Sequence, residues 1–129
     1  MKLKDNFYTI ENATHDADNH VFDVRLNPSH AIYAAHFPDN PITPGACTLQ
    51  MVGELTEEVA AKPLQLACAK NVKYLAPLTP MDTPCPTFAL NIRQEANSWQ
   101  VKAEVKNGEQ VFAKLSLDRK STRLNSSHW

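Results

Sequence analysis

His36 and the Pro44-Gly45 pair are the residues of this chain whose types and spacing could do chemistry together. They lie in NPSHAIYAAHFPDNPITPGACTLQMVGE, residues 27–54, where four prolines and a glycine precede a helix-like run with no further proline. Proline locks φ and glycine relaxes it, so this punctuation fixes a backbone path. From Ala46 to Ala61 no proline intervenes, and Leu49, Val52 and Val59 recur at roughly helical spacing. A helix start carries unpaired N–H groups and partial positive charge, which suits a developing oxyanion. His36 lies nine residues upstream of Gly45, close enough for a loop to fold it back over that helix end. An imidazole beside an oxyanion site is equipped to remove a proton next to a carbonyl.

The other reactive side chains have plainer readings. His30 is expected to cap or orient the loop, and His15 and His20 to lie solvated in a turn. Cys47 falls near the helix start, where the dipole lowers a thiol pKa, yet buried filler is the stronger reading. Glu54, Glu57 and Glu58 form a charged face expected to be solvated, with Glu54 the candidate exception. Tyr33, Phe37 and Met51 read first as core or interface packing.

These residues must be positioned by one compact domain, since the chain has 129 residues. Net charge is −1 without a basic block, which argues against a nucleic-acid surface. The N-terminal stretch MKLKDNFYTIENA lacks a signal peptide's apolar core, and no run is long enough to span a membrane. Cys47, Cys68 and Cys85 show no metal-ligand spacing, so no metal is expected; their odd number points to reduced thiols in a cytoplasm.

The pattern predicts strands over Lys2 to Glu11 and Val21 to Leu26, with a polar turn between them at Asn12 to Asn19. After the helix, Leu64 to Leu75 reads as a strand with Leu64, Leu66 and Cys68 on one face. Pro77, Pro80, Pro84 and Pro86 then exclude regular structure. Strands follow at Thr87 to Arg93, Trp99 to Val105 and Val111 to Leu117, the last two joined at Asn107-Gly108, a hairpin signal. Two strands, one long helix and about four strands make an α+β pattern. Residues 1–118 form the domain; the polar tail 119–129 reads as translated cloning or adapter sequence, or as a native polar terminus.

The run HFPDNPITPG followed by an apolar helix resembles the motif of hotdog-fold 3-hydroxyacyl-acyl-carrier-protein dehydratases, with Ala35 where a glycine is usual. VKYLAPLTPMD, residues 72–82, resembles that family's strand and following turn, with Met81 where a glycine is usual. The resemblance implies a hotdog fold, a long central helix wrapped by a curved antiparallel sheet. It also implies that His36 acts on the proton α to a thioester carbonyl, that Gly45 N–H binds the carbonyl oxygen, and that an acidic residue on the partner subunit's helix assists loss of the 3-hydroxyl. That acidic position, fourteen after the histidine, is Gln50 here, an amide with no proton to give. Three repairs are open. His36 could return the proton to the departing hydroxyl with Gln50 positioning it, which needs no extra movement and is favoured. Glu54, one turn further on, could serve as an auxiliary acid. Or the protein binds acyl chains without dehydrating them efficiently.

The substrate so implied is a 3-hydroxyacyl chain on the phosphopantetheine arm of acyl carrier protein, in fatty-acid-type biosynthesis, giving a trans-2-enoyl thioester. No cofactor is needed, because the thioester acidifies the α proton. Phe37, Leu49 and Met51 are the candidate walls for the acyl chain. A homodimer, or a higher even oligomer, completes a site shared between subunits and closes open sheet edges. The rivals are a hotdog thioesterase or enoyl hydratase acting on acyl-CoA, and a non-catalytic acyl-binding subunit.

Overall fold

The computed structural model of the chain describes residues 2–36 and 39–121, apart from the side chain of His36. The order of elements is β1 (Tyr8–Asp16), β2 (Asn19–Leu26), α1 (Ala31–His36), α2 (Gly45–Ala60), β3 (Leu64–Tyr74), β4 (Thr87–Glu95), β5 (Ser98–Asn107) and β6 (Gln110–Ser121). All six strands join one sheet in the order β1-β2-β4-β5-β6-β3, each pair antiparallel. This is the expected α+β architecture, one long helix against one curved sheet.

Alternation decides which face of the sheet meets the helix. On β5, Trp99, Val101, Ala103 and Val105 are buried, while the residues between them are more accessible. Phe88, Leu90 and Ile92 do the same on β4. From α2, Met51, Val52 and Leu55 enter this core with no exposed surface. Each such side chain is worth roughly 1.5–3 kcal/mol in removal from water. Gly108, at φ 60°, makes the β5–β6 hairpin where Asn107-Gly108 announced one.

Three expectations are corrected. The first strand begins at Tyr8 rather than Lys2, and it runs on to Asp16 through residues expected to form a turn. Leu3 and Phe7 are buried from a turn that precedes it, and the outer part of β1 is a polar edge strand that reads like a loop. In β3, bulges at Leu66/Cys68 and Ala69/Asn71 break the expected face: Leu64 is buried, Leu66 is 43% exposed and Cys68 is exposed. The last strand continues to Ser121, with Trp99 paired to Arg119 and Leu64 to Ser121, so the polar residues 119–121 belong to the sheet. Residues 122–129 lie outside the described residues.

Candidate active site at the start of the long helix

The short helix α1, which periodicity did not reveal, carries His36 as its last residue. Its entry is an Asx turn, in which Ser29 N–H donates to Asn27 Oδ1 at 3.1 Å. His30 Nδ1 then accepts Ile32 N–H at 3.0 Å, which confirms its orienting role. Tyr33 anchors α1 to the core: its ring stacks on Phe7 at 4.9 Å, and its hydroxyl bonds Thr43 Oγ1 at 2.8 Å. Burial pushes the Tyr33 phenol up to about 12, so it stays protonated at neutral pH. Thr43 N–H donates to Leu78 O at 2.7 Å, tying the same loop to the proline-rich segment. Both ends of the path between His36 and α2 are thereby fixed. The His36 side chain and Phe37 lie outside the described residues.

Helix α2 begins as the Pro-Gly pair requires. Pro44 is the N-cap, at φ −60° and ψ 142°, and it offers no side-chain acceptor. Its carbonyl takes the amides of Cys47 at 2.9 Å and Thr48 at 3.2 Å. The helix itself supplies no acceptor for the two preceding amides, Gly45 and Ala46. No acidic side chain occupies the first turn to offset the dipole. Cys47, 4% exposed, is the expected filler, and burial raises its thiol pKa rather than the dipole lowering it.

Gly45 is required by a close approach. A Cβ there would lie 2.6 Å from Tyr74 Cζ, and the Tyr74 hydroxyl donates to Gly45 O at 2.7 Å. Beside this contact lies a cavity of about 470 Å³, walled by Ile42, Leu75, Leu78, Val105 and Phe112, with Gly45, Thr48 and Tyr74 at its helix side.

Gln50 and Glu54 come together on another side of α2. Glu54, 5% exposed, accepts Leu3 N–H at 2.7 Å and Gln50 Nε2 at 2.8 Å on one oxygen. Its other oxygen takes Lys4 N–H at 2.8 Å and the Tyr8 hydroxyl at 2.9 Å. Because the carboxylate can only accept, the amide end of Gln50 is the one that faces it. Burial, and then the Glu54 charge, raise the Tyr8 pKa far above its ordinary value. Glu54 is thus the clasp that holds the N-terminal segment on the helix. Of its neighbours, Glu57 accepts Leu64 N–H at 2.7 Å and Glu58 pairs with Lys4 at 3.2 Å.

A cavity of about 120 Å³ adjoins Gln50, lined by Ala46, Leu49, Gly53, Leu66 and Arg119 among others. Leu49 lines this cavity, whereas Met51 is wholly buried in the core and lines neither this cavity nor the one at Gly45. Among the described residues, Gly45 and Gln50 line different cavities. They are five residues apart on α2, which turns them well away from each other at 3.6 residues per turn.

Tyr74 and Arg119 were missed as partners of the helix. The guanidinium of Arg119 donates to Leu64 O at 2.6 Å and lies where a Cβ at Gly53 would fall. A glycine inside a helix costs roughly 1 kcal/mol, and that was the available signal. His15 is exposed as expected but lies on a strand, and His20 is corrected: the two pair across β1 and β2 with Nδ1···Nδ1 2.7 Å, and His20 is only 9% exposed. The strand continues where a turn was expected, so their side chains meet on one face.

Comparison with known proteins agrees with this architecture. The chain superposes on the dehydratase heterocomplex ApeI:P from Xenorhabdus doucetiae with TM-score 0.67 and 17% identity, covering 86% of this chain and 96% of that one. A phenylacetic acid degradation-related protein from Ralstonia eutropha gives TM-score 0.63 and 14% identity, with coverage of 88% and 83%. A hypothetical thioesterase from Streptococcus pneumoniae, solved with coenzyme A, gives TM-score 0.63 and 9% identity, with coverage of 92% and 91%. These likenesses establish the hotdog fold. No curated protein matches the chain. Among the described residues, no helix is long and apolar enough to cross a membrane. Residues 12–116 match the family model described as ApeI-like, ApeI dehydratase, and the chain therefore belongs to the ApeI-like dehydratase family.

Proposed function

We propose that this chain dehydrates 3-hydroxyacyl thioesters on acyl carrier protein to trans-2-enoyl thioesters. The observation that carries the reading is a helix start with two amides that the helix leaves unpaired, opening beside an apolar cavity, in a chain of a dehydratase family. His36 removes the α proton. The negative charge that develops on the thioester oxygen is held by Gly45 N–H and the helix dipole. The C–O bond at the 3-position then breaks, and His36 returns its proton to the hydroxyl, which leaves as water.

Gln50 positions that hydroxyl. Glu54 accepts from the amide's NH₂ end at 2.8 Å and so orients the side chain in this scheme. Glu54 is thus a positioning residue in this scheme; four donors occupy its two oxygens.

Gly45 and Gln50 line different cavities among the described residues and are turned apart on α2, and the scheme joins His36 and Gly45 of one subunit to Gln50 of another. The edge strand β3 is exposed along most of its length, and pairing it across a two-fold axis would form the homodimer. Incubation with 3-hydroxyacyl-carrier-protein substrates of several chain lengths, read by mass, tests the proposal. Loss of water from the acyl group supports it; hydrolysed acid, or unaltered substrate at every length, overturns it.

A further inference from the structure

We infer that Phe7 is a positioning residue: with the N-terminal turn that it ends, it sets the place of helix α1 and hence of His36. This rests on the reading that His36 removes the α proton. A helix of six residues is too short to hold its own shape in water, so contacts outside it fix its direction. Several of these converge on residues 6 and 7. Phe7, wholly buried, stacks on Tyr33 at 4.9 Å and meets the His30 ring in a T-shaped contact at 5.2 Å. Its carbonyl accepts Asn27 N–H at 2.9 Å, and Asn27 Nδ2 donates to Asn6 O at 2.9 Å. Asn27 in turn opens the entry to α1: its Oδ1 accepts Ser29 N–H at 3.1 Å and its carbonyl accepts His30 N–H at 3.2 Å.

The turn is itself fixed from its other side. Phe7 N–H donates to Leu3 O at 2.8 Å and Asp5 N–H to Tyr8 O at 2.7 Å, while the amides of Leu3 and Lys4 end on Glu54 of α2. A continuous chain of contacts thus runs from Glu54, beside Gln50, through the N-terminal turn to the short helix that ends at His36. Phe7 is where the side-chain stack and the main-chain bond of this chain meet. Loss of its ring takes both aromatic contacts from α1, while the Tyr33–Thr43 bond stays. A proton-removing group displaced by about 1 Å loses up to about a hundredfold in rate without a matching loss of binding.

The test measures kcat and KM for dehydration of a 3-hydroxyacyl-carrier-protein, together with amide hydrogen exchange over Ala31–His36 by NMR. Wild type, Phe7→Leu, Asn27→Asp and Val101→Ala are compared, and circular dichroism confirms folding. Phe7→Leu keeps an apolar side chain without the ring. It is expected to lower kcat about tenfold, leave KM within about twofold and speed the exchange about tenfold. Asn27→Asp keeps the acceptor for Ser29 N–H but loses the donor to Asn6 O. It is expected to move kcat and exchange the same way by about threefold, and it is the reporter if Phe7→Leu does not fold. Val101→Ala opens a cavity in the core on β5 and is expected to lose stability with kcat and exchange over α1 unaltered. An equal fall in kcat for Val101→Ala overturns the inference, as does a folded Phe7→Leu variant with wild-type kcat or wild-type exchange. If wild type does not dehydrate, or His36→Ala dehydrates as fast, the dehydratase reading fails and the exchange decides alone. Faster exchange in Phe7→Leu then supports the placement of α1 by this residue, and unaltered exchange overturns it.

Discussion

Glu54→Gln separates a structural clasp from a catalytic acid. The substitution preserves size and replaces one accepting oxygen by an NH₂ group. Two donors converge on each oxygen: Leu3 N–H and Gln50 Nε2 on one, Lys4 N–H and the Tyr8 hydroxyl on the other. Whichever way a glutamine turns, its NH₂ faces two of them. The Tyr8 hydroxyl and the Gln50 amide can rotate, but a main-chain N–H cannot, so one is left without an acceptor. That costs about 1–3 kcal/mol, and the remaining bonds lose their ionic partner. Relief of the buried carboxylate's desolvation offsets part of this. We expect a net loss of about 2–3 kcal/mol, which at this chain length lowers Tm by about 10 °C. Thermal unfolding with circular dichroism measures it, with dehydration assayed below the transition. A Tm within about 2 °C of wild type, together with loss of turnover, would refute the reasoning and make Glu54 the acid.

Two further outcomes follow from particular contacts. Gly45→Ala should destabilise by about 1–3 kcal/mol, because its Cβ meets the Tyr74 ring. In a Tyr74→Ala background the same change should be neutral or stabilising, since alanine is the better helix former; a double-mutant cycle by urea unfolding shows whether the sign inverts. His20 has its pKa lowered first by burial and then by His15, with Asp18 opposing. The unfolded chain therefore takes up this proton first as acid is added. The stabilisation is complete above the ordinary value of 6.5 and is lost as pH falls toward the folded value. His20→Gln should flatten the slope of stability against pH below 6.5, measured by denaturant titration; an unaltered slope would contradict it.

Much of the fold was legible because burial writes period two on strands that face the helix on one side. Trp99 to Val105 shows it plainly, and proline and glycine bracketed α2 closely. Where one side of an element is not pressed on the core, the code fades. The outer half of β1 and most of β3 are exposed edges, so polar residues there read as loop or in the wrong register. Helix α1 spans only six residues, too short for a period to show, and its stability comes from Tyr33 and His30 contacts distant in sequence.

In the candidate site, local geometry was readable and long-range pairing was not. Pro44-Gly45 announced a helix start with spare amides, as it stands in the structure. That Gly45 exists for Tyr74, or that Glu54 reaches back to Leu3 and Lys4, depends on contacts across the fold. Spacing along one helix cannot show these. It placed Gln50 and Glu54 together correctly, and of the two readings open for Met51, packing and wall, its full burial in the core agrees with the first.

The most direct test follows enoyl absorbance and free thiol together while wild type and His36→Ala act on a 3-hydroxyacyl-carrier-protein. Wild type should generate enoyl product without releasing thiol, and His36→Ala should lose about a hundredfold or more of that rate while remaining folded. Thiol release without enoyl product, or a His36→Ala variant as fast as wild type, would contradict proton removal by this histidine.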